Sequence, residues 1–93
     1  MLAAWTIATV VAAAAPQDAA KTDDHPKLPQ GDGRDVMIRV CSQCHDPEWV
    51  VDQGNDEAGW KAVVDQMAGN GAQATPAEFA QIVRYFTAKF PPK

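Results

Sequence analysis

The sequence predicts an all-α protein built from three helices. Three segments carry apolar residues at the i, i+3, i+4 spacing that places them on one helix face. Alanine is abundant, β-branched residues occur singly or in short pairs, and no segment alternates apolar and polar residues as a strand would. A chain of 93 residues allows a single domain.

The first fifteen residues, MLAAWTIATVVAAAA, carry no charge. They are too few to span a bilayer as a helix, which takes about 20 residues. Residues 13–15 are all alanine and precede Pro16, which fits an A-x-A cleavage site. We therefore predict that residues 1–15 are a signal peptide and that the protein is exported, to the periplasm in a bacterium. The alternatives are a retained N-terminal anchor and a buried helix of the mature domain.

Residues 16–30, PQDAAKTDDHPKLPQ, are rich in Pro, Asp and Lys and have no apolar periodicity. This composition predicts an extended polar N-terminal tail. The folded domain is then expected to span residues 31–93.

The first helix is expected to follow the Gly-Asp-Gly turn at residues 31–33. Asp32 or Asp35 is a suitable N-cap. The Asp46-Pro47 pair is expected to end the helix, because a residue before proline avoids the helical region. Its apolar face would carry Val36, Val40 and Cys44.

The second helix is expected to start near Asp56, after a loop at residues 48–55. Gly-Asn-Gly at residues 69–71 should end it, because these residues accept the left-handed conformation common at helix ends. Its apolar positions are Trp60, Val63, Val64 and Met67.

The third helix has the clearest start signal, with Thr75 as N-cap, Pro76 at the first position and Glu78 at the third. Pro91 and Pro92 should stop it. Its apolar face carries Phe79, Ile82, Val83, Phe86 and Phe90.

The residues that carry chemistry are Cys41, Cys44 and His45, which form a C-x-x-C-H sequence. This is the attachment pattern of c-type haem. Two cysteines three apart on a helical turn face the same side, so each can form a thioether with one porphyrin vinyl group. The adjacent His45 can then bind the iron as the proximal ligand.

Three other interpretations of the motif are weaker. A thioredoxin-like dithiol belongs beside a βαβ pattern, which is absent. A zinc site made with His25 lacks the usual second ligand pair. A disulfide across two residues would close a very small loop and gain little entropy.

The sequence resembles the small class I cytochromes c, in particular exported bacterial single-haem domains that stand alone or act as haem subunits of periplasmic dehydrogenases. The resemblance covers residues 28–92. Its pieces are Leu28-Pro29-x-Gly31-x-Gly33, C-x-x-C-H at 41–45, Trp60-x-x-Val63-x-x-x-Met67, Gly71-Ala72, Glu78, Ile82, Tyr85 and Phe90-Pro91.

The resemblance implies a cytochrome c-like wrap of three to four helices around one covalently bound haem c. It implies electron transfer between redox proteins, such as a dehydrogenase donor and an oxidase or cytochrome acceptor, and no enzymatic activity or small-molecule substrate. It also implies that Trp60 and Tyr85 line the haem pocket. Class I cytochromes often hold the proximal histidine through a proline carbonyl. The sequence leaves the second ring nitrogen of His45 without an assigned partner.

Met67 is the expected sixth ligand. It lies at the end of the second helix beside the Gly-Asn-Gly turn and matches the methionine of the family pattern. Met37 lies four residues before Cys41, on the proximal side. The alternatives are His25 in the polar tail and an open distal site, which would make the protein a ligand-binding haem sensor.

The charge balance restricts the partners. The chain has 8 basic and 12 acidic residues, for a net charge of −4. This argues against nucleic acid, because phosphate binding requires a basic patch. It favours a protein partner whose docking surface is basic or mixed.

Overall fold

The computed structural model describes residues 23–93, together with residues 3, 4 and 6. The remainder of the predicted signal peptide and the first part of the polar tail lie outside the described residues. In residues 23–93 the structure has three α-helices and no strand, which confirms the all-α prediction. They are α1 (Arg34–Cys41), α2 (Glu57–Gly69) and α3 (Pro76–Lys89), with a short 3-10 helix at Pro47–Asp52. Within the same part of the chain, no helix is long and apolar enough to cross a membrane.

Helix α1 differs from its prediction at both ends. Gly33 precedes it in a left-handed conformation, with φ 90° and no side-chain cap. Asp32 does not cap the helix because its carboxylate accepts a hydrogen bond from Gln81 Nε2 at 3.0 Å. The helix stops at Cys41, five residues before the Asp46-Pro47 pair that was expected to end it. Cys44 therefore lies in the following turn and not on the α1 face.

The segment predicted as a loop at residues 48–55 begins with the 3-10 helix. Asp46 caps this helix, because its side chain accepts a hydrogen bond from the Glu48 N–H at 2.9 Å. Pro47 occupies the first position, where its missing N–H costs nothing. Val50 is fully buried, so one apolar residue of this segment fixes it against the core.

The predicted boundaries of α2 and α3 are confirmed. The Asp56 carboxylate caps α2 by accepting from the Gly59 N–H at 2.8 Å. The chain leaves α2 through the Gly-Asn-Gly turn, in which Gly71 has φ +106°. Thr75 and Glu78 form the expected capping box of α3, with reciprocal hydrogen bonds of 3.1 and 3.0 Å.

Helix α3 packs against both α1 and α2. The largest fully buried side chains belong to one core cluster, to which the 3-10 helix and the segment before α1 also contribute. They are Leu28, Met37, Val50, Trp60, Ile82, Tyr85 and Phe86. Gly33 permits the close approach of α1 to α3. A Cβ atom at this position would lie 2.9 Å from the Gln81 carbonyl oxygen and 3.1 Å from Tyr85 Cβ.

Gly33→Ala should destabilise the protein strongly. The substitution combines the left-handed backbone penalty of about 1–2 kcal/mol with an overpacking cost of about 1–3 kcal/mol. We expect the two to lower the free energy of unfolding by about 2–5 kcal/mol, measured by denaturant titration. Gly69→Ala is the control, because no atom lies within 4 Å of a Cβ built there. If Gly33→Ala and Gly69→Ala were equally stable, the close approach of α1 to α3 at Gly33 would be contradicted.

Arg34 ties the segment at residues 23–30 to the start of α1. Its guanidinium Nη2 donates to both Asp23 carboxylate oxygens at 2.9 Å and to the His25 carbonyl at 2.8 Å. Its Nε donates to the Leu28 carbonyl at 3.0 Å. The hydrogen bond from the His25 N–H and the contact with Arg34 lower the pKa of Asp23 below its usual value. With Leu28 also buried, this end of the predicted tail belongs to the packed structure.

Candidate cofactor site

The turn after α1 presents the three motif residues in different environments. Cys41, the last residue of α1, is 4% exposed. Cys44 and His45 lie in the turn and are exposed. Both cysteines are free thiols, so the motif does not form the disulfide that was one alternative.

These three residues line one cleft. All three α-helices contribute apolar walls to it, by way of Val40, Val64, Met67, Phe79 and Ile82. Met67 therefore faces the same cleft as Cys41, Cys44 and His45. A concave, mostly apolar site with a few convergent polar groups is typical of cofactor binding.

A second, wider cleft lies next to the first. The two share His45, Met67 and Asn70 as lining residues. Trp49 from the 3-10 helix and Val63 from α2 complete the apolar part of the second wall. Of the shared residues, His45 comes from the motif turn and Met67 from the end of α2, and both side chains line both clefts.

Contacts with Asp46 and Trp49 orient the His45 ring. Its Nδ1 lies 3.0 Å from the Asp46 carbonyl oxygen. A carbonyl can only accept, so this hydrogen bond requires the proton on Nδ1 and leaves Nε2 with a free lone pair. The ring also meets Trp49 edge-on, with centroids 5.8 Å apart. The partner that the sequence left open is therefore a backbone carbonyl next to Pro47, an arrangement common for histidines that bind metals.

Cys41 does not have the environment of an activated thiol. Burial raises the pKa of Cys41 to about 11, and the nearby Cys44 adds to the shift. Redox-active C-x-x-C pairs depend on a lowered pKa, because the thiolate is the nucleophile. Cys41 is instead a neutral thiol at the wall of an apolar cleft.

The structure also does not bring together the ligands of the proposed zinc site. Within residues 23–93 there is no group of three or more His, Cys, Asp or Glu side chains that could hold a metal ion. His25, the proposed partner in that alternative, lies with its Nδ1 3.6 Å from a Glu48 carboxylate oxygen. It lines neither cleft, so it is placed neither as a zinc ligand nor as a sixth haem ligand.

Trp60 and Tyr85 are core residues outside both clefts. The Trp60 indole N–H donates to the Phe90 carbonyl at 2.8 Å, and its ring lies 4.6 Å from that of Phe86. The Tyr85 hydroxyl donates to the Pro29 carbonyl at 2.7 Å. The polar groups of both residues are therefore engaged within the protein. Trp60 joins α2 to the residue after α3, and Tyr85 joins α3 to the segment before α1.

Trp49 is the aromatic residue that the structure places at the site. It lines the second cleft, and its Nε1 is buried without a hydrogen-bond partner among the described residues. An unsatisfied buried donor costs about 1–3 kcal/mol, so an acceptor on a bound group would relieve it. A haem, whose carboxylate side chains are strong acceptors, satisfies this requirement. The donor set and the apolar walls therefore fit the group that the motif predicts.

Gln43 is a residue that the sequence analysis did not single out. Its side-chain amide donates from Nε2 to the Gln73 carbonyl and accepts at Oε1 from the Gln73 N–H, both at 2.9 Å. This joins the motif turn to the loop after α2. No sequence pattern signals such a pair across 30 residues.

Comparisons of this chain with protein-family models, with curated proteins and with solved structures gave no significant match. The residues and geometry of the cleft are therefore the basis for inferring its function.

Proposed function

We propose that this protein is an exported electron carrier that holds one covalently attached haem c. The single observation that carries the proposal is that Cys41, Cys44, His45 and Met67 line the same apolar cleft. A C-x-x-C-H sequence by itself is a pattern in the chain. The same motif facing a methionine across an apolar space has the chemistry of a haem site with two axial ligands.

Each residue has a stated role in this proposal. Cys41 and Cys44 would form the two thioether attachments, and His45 Nε2 and Met67 would bind the iron. When bound, the haem supplies reversible one-electron oxidation and reduction of its iron. The chain contributes orientation and environment, which set the potential of such centres.

Three features of the described residues would provide this orientation and environment. The Asp46 carbonyl fixes the His45 ring and its tautomer. The apolar side chains of α2 and α3 that line the cleft would shield a bound haem from water. The free Trp49 N–H is a donor suited to one haem carboxylate.

The predicted signal peptide and the net charge support the proposed export and the kind of partner. A c-type haem is attached outside the bacterial cytoplasm, which agrees with the signal peptide predicted at residues 1–15. With a net charge of −4, we expect a redox partner with a basic or mixed docking surface. A free carrier and a haem subunit of a dehydrogenase complex both agree with these features.

The covalent attachment is tested by extraction and spectroscopy. The protein is produced in a host with a c-type haem attachment system, and its haem is extracted with acidified acetone. We expect the pigment to stay with the polypeptide and the reduced protein to show sharp absorption bands that carbon monoxide does not shift. Release of the haem into the solvent would refute covalent attachment. Bands that carbon monoxide shifts would instead indicate the open-site sensor.

A further inference from the structure

The motif turn and the loop after α2 are held together by one side chain. Gln43 pairs with the backbone of Gln73 through both its donor and its acceptor, each at 2.9 Å. A glutamine amide can satisfy an N–H and a carbonyl of one residue at once. Glutamate lacks the donor, and asparagine has the amide but is one methylene shorter.

The loop reached by Gln43 is tied directly to Met67. The Met67 carbonyl accepts hydrogen bonds from the Asn70 and Ala72 N–H groups, both at 3.1 Å. Ala72 is in turn covalently joined to Gln73. A continuous path therefore runs from the Gln43 side chain, through two residues of the loop, to the backbone of Met67.

Few other contacts are available to hold this loop. Residues 66–77 contain no charged side chain, so they cannot form an ion pair. Gly69, Asn70, Gly71 and Gln73 are exposed, and no atom lies within 4 Å of a Cβ built at Gly71. Half-buried Ala72 and Ala74 give only small apolar contacts with the core. Arg39 of α1 also forms an ion pair with Glu78, which caps α3 together with Thr75. The Gln43 pair is the polar link between the motif turn and Gln73 of the loop.

We propose that Gln43 is a positioning residue that holds the loop at 70–75, and with it Met67, against the turn that carries His45. The proposal rests on the function proposed above. It adds that the methionine is kept at the site by a side chain within the C-x-x-C segment itself. Gln43 would not touch the iron and would act through Gln73 and Met67.

The test compares the haem-loaded Gln43→Ala protein with Ser42→Ala. Ser42 is the matched control, because it is the other residue between the cysteines, is exposed and takes no part in the pairing. The first measurement is amide hydrogen exchange at Gln73. Loss of two hydrogen bonds should speed exchange there by about tenfold to thirtyfold, with no change in Ser42→Ala. Gln43→Glu keeps one of the two bonds and should give a smaller increase.

The second measurement is the bond between Met67 and the iron. In Gln43→Ala we expect a weaker near-infrared sulfur-to-iron band in the oxidised protein and measurable carbon monoxide binding in the reduced protein. Ser42→Ala should resemble the wild type in both. A purely structural role for Gln43 would change stability and leave these two signals intact.

Three results would overturn the proposal in distinguishable ways. A Gln73 amide that exchanges freely in the wild type would show that the pairing is absent, whatever the state of the haem. A Gln43→Ala protein with an unchanged band and no carbon monoxide binding would refute the positioning role alone. A wild type that lacks the band would refute Met67 as the ligand, and both proposals would fail at that point.

Discussion

Met67→Leu is expected to abolish the near-infrared sulfur-to-iron band of the oxidised protein and to open the reduced iron to carbon monoxide. Leucine conserves the volume of methionine but has no sulfur, so the packing of α2 is preserved and the thioether is lost. Across the cleft from the motif, Met67 is the one strong iron ligand in the 67–75 window, where Asn70 and Gln73 are poor ones. A thioether ligand also favours the reduced iron, so the variant should have a lower reduction potential.

Met37→Leu is the matched control for this experiment. Met37 lies on α1 with no exposed surface and, unlike half-buried Met67, lines neither cleft. The control should keep the band and exclude carbon monoxide. Identical spectra for the two variants, or a wild type that already binds carbon monoxide, would reject Met67 as a ligand.

The double substitution Cys41→Ala, Cys44→Ala is expected to leave the chain without haem and largely unfolded. Cores of domains below about 80 residues supply roughly 3–5 kcal/mol, and the described packed region here is residues 23–93. Without haem, the apolar walls of the cleft face water. Half-buried side chains on these walls, such as Met67 and Phe79, would then lack the partner that completes their burial. Circular dichroism should show the loss of most helical signal.

Ser42→Ala, purified in the same way, serves as the control for that experiment and should retain both haem and helix. A cooperative thermal transition in the haem-free double variant would contradict the dependence of folding on haem. Such a result would mean that the contacts among α1, α2 and α3 are sufficient by themselves.

The sequence predicted the parts of the fold that depend on local chemistry. The N-cap of α2 at Asp56 and the capping box of Thr75 and Glu78 are determined by residues within one helical turn. For this reason their positions could be deduced from spacing alone. The cleft residues Cys41, Cys44 and His45 were found for the same reason, because their order in the chain is itself the motif.

The errors arose where distant contacts decide the structure. Helix α1 ends at Cys41, and Gln43 just beyond it is held by the loop around Gln73, a contact that no local pattern reveals. The resemblance implied that Trp60 lines the haem pocket. In the fold its indole N–H donates to the Phe90 carbonyl, and the residue lines neither cleft. Only the folded chain shows that the Trp49 donor is the free one.

The anchoring of the N-terminal segment by Arg34 limits how far this protein can be shortened. A polypeptide that begins at or before Asp23 retains every acceptor of the guanidinium. One that begins after Leu28 leaves an arginine that is 7% exposed without those acceptors, which is an unfavourable state for a buried cation. Fusion partners and affinity tags are therefore best joined ahead of residue 23. The same consideration places the boundary of the minimal folding unit several residues before the first helix.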